Sequence, residues 1–164
     1  MIFLIQNLVN EFSNFARLPK ANNKKINLSE ILIIYIEEYK RNYPKITFTK
    51  NIHEDIYIYF DQSYIDIILN NLFKNSIEAL EITFSPSIDI NLKKFDDCIL
   101  FTFFDNGPGY DEDVDNLLKP YFSTKNSSGL GLSLINKIIS ENNGSLRIKT
   151  NKYSGFKVEI MLNV

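Results

Sequence analysis

The stretch from Ser63 to Leu80 constrains the fold more than any other part of this 164-residue chain. Ile65, Ile68, Leu69, Leu72, Ala79 and Leu80 recur at helical spacing, which commits one face of a helix to a core. On an adjacent stripe Asn71, Asn75 and Glu78 stand at i, i+4 and i+7. Asn is a middling-to-poor helix former, so two of them one turn apart beside a buried face call for a reason. Helix-end or surface polarity is the plain explanation, and an amide-lined edge of a pocket is the other.

The rest of the chain alternates helical and strand-like segments. Residues 2–17 place Ile5, Leu8, Val9, Phe12, Phe15 and Ala16 on one helical face that ends at Leu18-Pro19. With no partner before it, that face should pack on another helix or another subunit, and its abrupt start reads as a fragment. The polar run 20–25 reads as a linker. Leu28-Ser29-Glu30 opens a helix to Asn42, with Ser29 as its expected N-cap and Pro44 closing it. Strand patterns cover 45–50 and 55–60, and the central helix is expected over 62–83. Residues 87–94 and 98–104 form a hairpin through Asp96-Asp97, a helix covers 131–142, and 146–150 with 156–162 make a last hairpin. Because strands come mostly in adjacent antiparallel pairs, the expected architecture is an α/β two-layer sandwich. A mixed, largely antiparallel sheet of about five strands would pack on three helices, unlike a doubly wound parallel sheet.

Composition closes several routes. A net charge of -2 and a pI near 5.5 leave no strongly basic face, which argues against a nucleic-acid partner held by phosphate contacts. The single Cys98, set among apolar residues, excludes a disulfide framework and a cysteine metal cluster, and is expected to be buried in a strand. A reducing cytoplasm is the home that the lone cysteine suggests, and Met1 to Ile5, too short an apolar run to span a bilayer and without the basic start of a signal peptide, leaves a soluble chain as the expectation.

Residues 105–129 lack periodicity and are rich in Gly, Asp, Asn and Ser, a loop long enough to be functional. Its first part, Asp105-Asn106-Gly107-Pro108-Gly109, follows the hydrophobic run Ile99 to Phe104. A carboxylate there can accept from an exocyclic amine, and Gly107 and Gly109 let the backbone approach a flat ligand. An ordinary Asp-Asn-Gly turn looks the same in isolation. Its last part, Ser127-Ser128-Gly129-Leu130-Gly131-Leu132, runs into a helix start, where freed amides and partial positive charge suit phosphates. No Walker lysine motif and no full dinucleotide fingerprint accompanies it.

An Asn-edged helix, then Asp-x-Gly-x-Gly after a strand, then a Gly-Leu-Gly-Leu helix start together resemble the ATP-binding domain of sensor histidine kinases, within the GHKL ATPase superfamily. The resemblance covers roughly residues 26 to 163, which implies a Bergerat ATP-binding fold over 26–164. Leu118 to Lys125 looks like the family's Phe-containing box, and Gly144-Ser145-Leu146 with Gly155-Phe156 looks like its closing hairpin. It implies that Asn75 ligates Mg²⁺ through its side-chain oxygen and that Asn71 assists near the phosphates. Asp105 would recognise the adenine amine of ATP, with Gly107 and Gly109 shaping the pocket. Gly129, Leu130, Gly131 and Leu132 would offer amides to the phosphates, and residues 110–128 would form a lid. Lys125 and Lys74 are candidate phosphate contacts, Lys74 being more readily a solvated helix position.

In the gyrase, chaperone and mismatch-repair branches of the superfamily, the residue one turn before the metal Asn is a Glu that activates water; here it is Asn71. Without that base, slow hydrolysis and phosphoryl transfer to a protein side chain are expected. The only histidine, His53, precedes Glu54 but lies between two strands, so the phosphoacceptor His hairpin is expected outside this chain. Residues 1–19 resemble the end of that hairpin's second helix, and Phe12 to Pro19 looks most like the nitrogen-regulation sensor kinases. The resemblance thus implies a piece of an inner-membrane sensor, with a response regulator downstream and a possible homodimer through the first helix. A nucleotide-binding pseudokinase or interaction module, and a serine kinase of the anti-sigma type, are the alternatives; a true ATPase is disfavoured by Asn71.

Overall fold

The computed structural model describes residues 18, 20–111, 113–122 and 129–163. The helix expected over 2–17 lies outside them, as do Lys125 and the pair Ser127-Ser128. Short β1 (Lys24–Asn27) leads into α1 (Leu28–Asn42), followed by β2 (Thr47–Ile52) and β3 (Tyr57–Phe60). The central helix is α2 (Gln62–Leu80), and the hairpin after it is β4 (Ser87–Lys94) with β5 (Cys98–Asp105). One helical turn, α3 (Val114–Leu117), interrupts the long loop before α4 (Gly131–Glu141), β6 (Ser145–Thr150) and β7 (Phe156–Asn163).

The main sheet has five strands in the order β2-β4-β5-β7-β6. Every neighbouring pair is antiparallel except β2 and β4, which run parallel with Thr47 opposite Ser87. A parallel pair needs a crossover, and β3 with α2 supplies it. The two strand patterns before α2 therefore do not pair with each other, as a reading in adjacent pairs suggested. β3 instead pairs antiparallel with β1 in a separate two-stranded sheet, Ile26 opposite Ile58. Lys24 and Lys25, read from sequence as the end of a linker, belong to that strand.

Alternation in the sequence sets the two layers. Ile88, Ile90 and Leu92 on β4, Ile99, Phe101 and Phe103 on β5, and Val158, Ile160 and Leu162 on β7 are all buried on the helix side. They meet Leu32 and Ile36 of α1, Ile65, Ile68, Leu69, Leu72 and Phe73 of α2, and Ile135, Ile138 and Ile139 of α4. Phe73 is the hub, stacked on Tyr39 at 4.1 Å between ring centroids and edge-on to Phe103 at 5.0 Å. Each such fully buried side chain contributes roughly 1.5–3 kcal/mol, enough to fix α2 against the sheet and so fix where its polar edge points. Cys98 starts β5 on the opposite parity and is only partly buried, because that face of the strand looks away from the helices.

The helix starts differ from expectation in one place. Asn27, not Ser29, caps α1, its Oδ1 accepting from the Glu30 N–H at 3.2 Å. Ser29 is buried inside the helix, where its hydroxyl donates to the His53 carbonyl at 2.7 Å and accepts from the Ile56 N–H at 3.1 Å. It ties α1 to the link between β2 and β3. Among the described residues, no helix is long and apolar enough to cross a membrane.

Candidate functional site

The parity that points Ile99, Phe101 and Phe103 toward the helices carries on to Asp105, the last residue of β5. Its carboxylate ends the strand between sheet and helices and is only 2% exposed. A carboxylate buried there needs donors. The Ser76 hydroxyl donates to Oδ2 at 2.6 Å, and the Gly107 N–H donates to Oδ1 at 3.0 Å. A Cβ on Gly107 would come 2.8 Å from that same Oδ1 and 3.2 Å from Ala79 Cβ of α2, so the turn closes on the helix only with glycine.

The whole Asp105–Tyr110 segment is fastened to its neighbours. Asn106 accepts from the Ser87 N–H at 2.7 Å and donates to the Ser85 carbonyl at 2.9 Å. The Tyr153 N–H donates to the Pro108 carbonyl at 2.7 Å, and the Tyr110 N–H donates to Thr150 Oγ1 at 2.9 Å. The Thr150 hydroxyl in turn donates to the Gly155 carbonyl at 2.8 Å. Gly109 takes φ +72°, and a Cβ there would strike the Asn151 carbonyl, so both its conformation and its surroundings call for glycine. The turn between β6 and β7 thus braces the glycine motif.

Facing this segment along α2 is the start of α4. Asn71 donates from Nδ2 to the Ile67 carbonyl at 2.7 Å, and its Oδ1 lies 2.6 Å from where a Cβ of Gly131 would stand. The first Asn of the stripe and the second glycine of the loop are in contact. Gly129 takes φ +66° against the Phe122 carbonyl, Leu130 is buried, and Leu132 packs on the rim of the core. Asn27 and Asp61 cap α1 and α2 with their side chains, whereas no side chain among the described residues caps α4. The first-turn N–H groups of Gly131, Leu132 and Ser133 have no intrahelical acceptor, and the helix dipole adds partial positive charge there. An anion is the natural ligand for that end.

Asn75, one turn beyond Asn71, is exposed, so its amide oxygen is available to a ligand outside the core. Lys74 is exposed beside it, and Glu78 is half-buried. At the other end of α2, Asp61 accepts from the Ser63 hydroxyl at 2.6 Å, the Ser63 N–H at 2.8 Å and the Asn22 N–H at 2.6 Å. The Ser63 hydroxyl first, then the Asn22 N–H, hold its carboxyl below the usual carboxylate range.

The site therefore pairs a buried acceptor, Asp105, with an amide edge, Asn71 and Asn75, and a helix start able to take an anion. Ser76, Asn106 and Thr150 were not singled out from the sequence. For Ser76 a signal existed: it interrupts the buried row Leu69, Leu72 and Leu80 with a hydroxyl. Asn106 and Thr150 act through pairings between distant segments that no local pattern reveals.

The family described as histidine kinase-, DNA gyrase B-, and HSP90-like ATPase matches residues 60–164. Nitrogen regulation protein NtrY of Azorhizobium caulinodans is 28% identical over 151 residues, covering 88% of this chain and 20% of NtrY. Sporulation kinase B of Bacillus subtilis is 33% identical over 123 residues, covering 74% of this chain and 28% of that kinase. The chain thus spans well under half the length of these curated relatives. In structure it is similar to the nucleotide-free catalytic domain of histidine kinase ThkA, with a TM-score of 0.77 and 25% identity over 87% of this chain and 95% of that one. A family match over more than half of the chain, on a fold that agrees with it, means that this protein belongs to the histidine kinase-, DNA gyrase B- and HSP90-like ATPase family.

Proposed function

We propose that this chain is the ATP-binding module of a two-component sensor histidine kinase, passing the γ-phosphate of ATP to a histidine on a dimerisation hairpin. The observation that carries the reading is the buried Asp105, a carboxyl fixed by Ser76 of α2 at the end of β5, while the start of α4, without a side-chain cap among the described residues, meets Asn71 of the same helix. Such an acceptor suits the exocyclic amine of adenine, and the α4 amides suit the phosphates. Gly107 and Gly109 let the turn close on α2 and on the β6–β7 turn, which would hold Asp105 in place for the base, and Asn71 would lie near the phosphates.

Mg²⁺ fits this arrangement as a shared ion. No three His, Cys, Asp or Glu side chains gather among the described residues to hold a metal, so Asn75 would be its protein ligand beside phosphate and water oxygens. Bound there, it would neutralise phosphate charge. In the transfer, an imidazole nitrogen forms the new bond to the γ-phosphorus, the bond to the β–γ bridging oxygen breaks, ADP departs and the imidazole proton goes to solvent. Asn71 has no basic atom with which to activate water, so the phosphoryl group is kept for that nucleophile. Residues 1–19 would continue into the hairpin and support a homodimer, Lys125 would reach the phosphates from the lid, and a response regulator would receive the phosphoryl group. The parent protein would be a sensor of the inner membrane with this module in the cytoplasm.

Titration calorimetry of the 164-residue chain with ATP tests the reading. Binding is expected to need Mg²⁺, and Asn75→Ala is expected to weaken it at least tenfold, as loss of an ion ligand should. Adding a separate hairpin that carries the acceptor histidine should yield acid-labile phosphate on that hairpin. Binding without transfer would make the chain a nucleotide-binding interaction module, and no Mg²⁺-dependent binding at all would overturn the reading.

A further inference from the structure

Consecutive residues on a helix point about 100° apart, so the residue after an exposed ligand can face the core. Ser76 does so: Asn75 is exposed, while Ser76 is 3% exposed and lies under the end of β5. Its hydroxyl has a carboxylate as its acceptor, 2.6 Å away, in a site where Asp105 itself is 2% exposed. Hydrogen bonds to a carboxyl oxygen in such low-dielectric surroundings are strong and directional. With Gly107 holding Oδ1 and Ser76 holding Oδ2, the plane of the carboxylate is set from both sides.

We propose that Ser76 is a positioning residue for base recognition, orienting the Asp105 carboxylate toward the amine of the nucleotide and so setting the preference for a 6-amino purine. This rests on the reading of Asp105 as the adenine contact. Ser76 touches no base itself. Its position next to Asn75 also means that one turn of α2 serves both ends of the nucleotide: Asn75 at the phosphates and Ser76, through Asp105, at the base.

The experiment compares ATP with purine riboside triphosphate, which lacks the 6-amine, by calorimetry on the full chain. The wild type is expected to prefer ATP. Ser76→Ala is expected to weaken ATP about tenfold while leaving the analogue within about twofold, so that selectivity collapses. Ser76→Thr, which keeps the hydroxyl, should restore the preference. If Ser76→Ala does not fold, Ser76→Cys keeps the volume with a weaker donor and should lower the same ratio. Equal weakening of both nucleotides, or an unchanged ratio in the Ala or Cys variant, overturns the assignment and leaves Ser76 a packing residue. A wild-type chain that binds ATP no better than the analogue would instead overturn the role of Asp105 on which the assignment stands.

Discussion

The two ends of the candidate nucleotide site are built in opposite ways. At the Asp105 end, both polar side chains of the turn and part of its backbone are met by protein partners: Ser76 and Gly107 on the carboxylate, Ser85 and Ser87 on Asn106, Thr150 and Tyr153 on the backbone beyond. At the α4 end, the helix starts without a side-chain cap among the described residues, although α1 and α2 are both capped. A flat base needs a fixed template, because its recognition depends on the direction of one or two hydrogen bonds. Phosphates are recognised by charge and by several amides together, so leaving helix donors for the ligand suits them better than satisfying them internally. Among the described residues, the Asp105 end is held by side-chain hydrogen bonds, and the start of α4 has no side-chain cap.

The sharpest way to break the first end is Gly109→Ala. The new Cβ would strike the Asn151 carbonyl, and Ala would have to hold φ +72°. The left-handed backbone alone costs an L-residue roughly 1–2 kcal/mol, and the collision adds to it. A loss of about 3 kcal/mol in denaturant unfolding is expected, with ATP binding lost as the brace from the β6–β7 turn opens. Unchanged stability would mean that the turn and the glycine motif are not joined as described.

Gly131→Ala separates binding from stability at the second end. A Cβ at Gly131 would lie 2.6 Å from Asn71 Oδ1, so the Asn71 side chain must move. Ala is the better helix former by about 1 kcal/mol, and the position is at the start of a helix. The melting temperature is therefore expected to hold or rise while ATP affinity falls about tenfold, the cost of roughly one misplaced polar contact. Parallel losses of stability and affinity would show that this end is as tightly integrated as the other.

This contrast also explains what was legible in the sequence. At the α4 end the motifs are local: the glycines with their helix start, and the Asn stripe, each lie in one short segment whose spacing can be read directly, whereas the contact of Asn71 with Gly131 comes from the tertiary fold. The sheet was legible where strands follow one another, as in β4–β5 and β6–β7. It was not legible where a strand pairs across a helix, as β2 does with β4, or with a segment of only four residues, as β3 does with β1. Ser29 shows the same limit. Its place before an apolar run suits a cap, but the Asn27 side chain reaches the Glu30 N–H, and the Ser29 hydroxyl serves the β2–β3 link, a partner about 25 residues away whose proximity only the tertiary fold creates. Ser76 and Thr150 belong to this second class.

The smallest effect is expected at Asp61, which caps the start of α2. Its carboxylate accepts from two groups of Ser63 and from the Asn22 N–H, which lower its pKa in the folded state. A depressed carboxyl stabilises the fold above the unfolded-state value, about 4, and that contribution drains away as pH falls through the folded-state pKa. Asp61→Ala should cost about 1 kcal/mol at neutral pH, the usual worth of a partly exposed N-cap. The gap between wild type and variant should then narrow in unfolding curves taken at successively lower pH below that value. A gap that stays constant into strong acid would mean that Asp61 acts by shape and not by charge. ATP affinity should change little in the same variant, because Asn71 and Asn75 lie in later turns held by Leu69, Leu72 and Phe73; a large loss of affinity there would mean that the entry of α2, and not its core face, sets the nucleotide site.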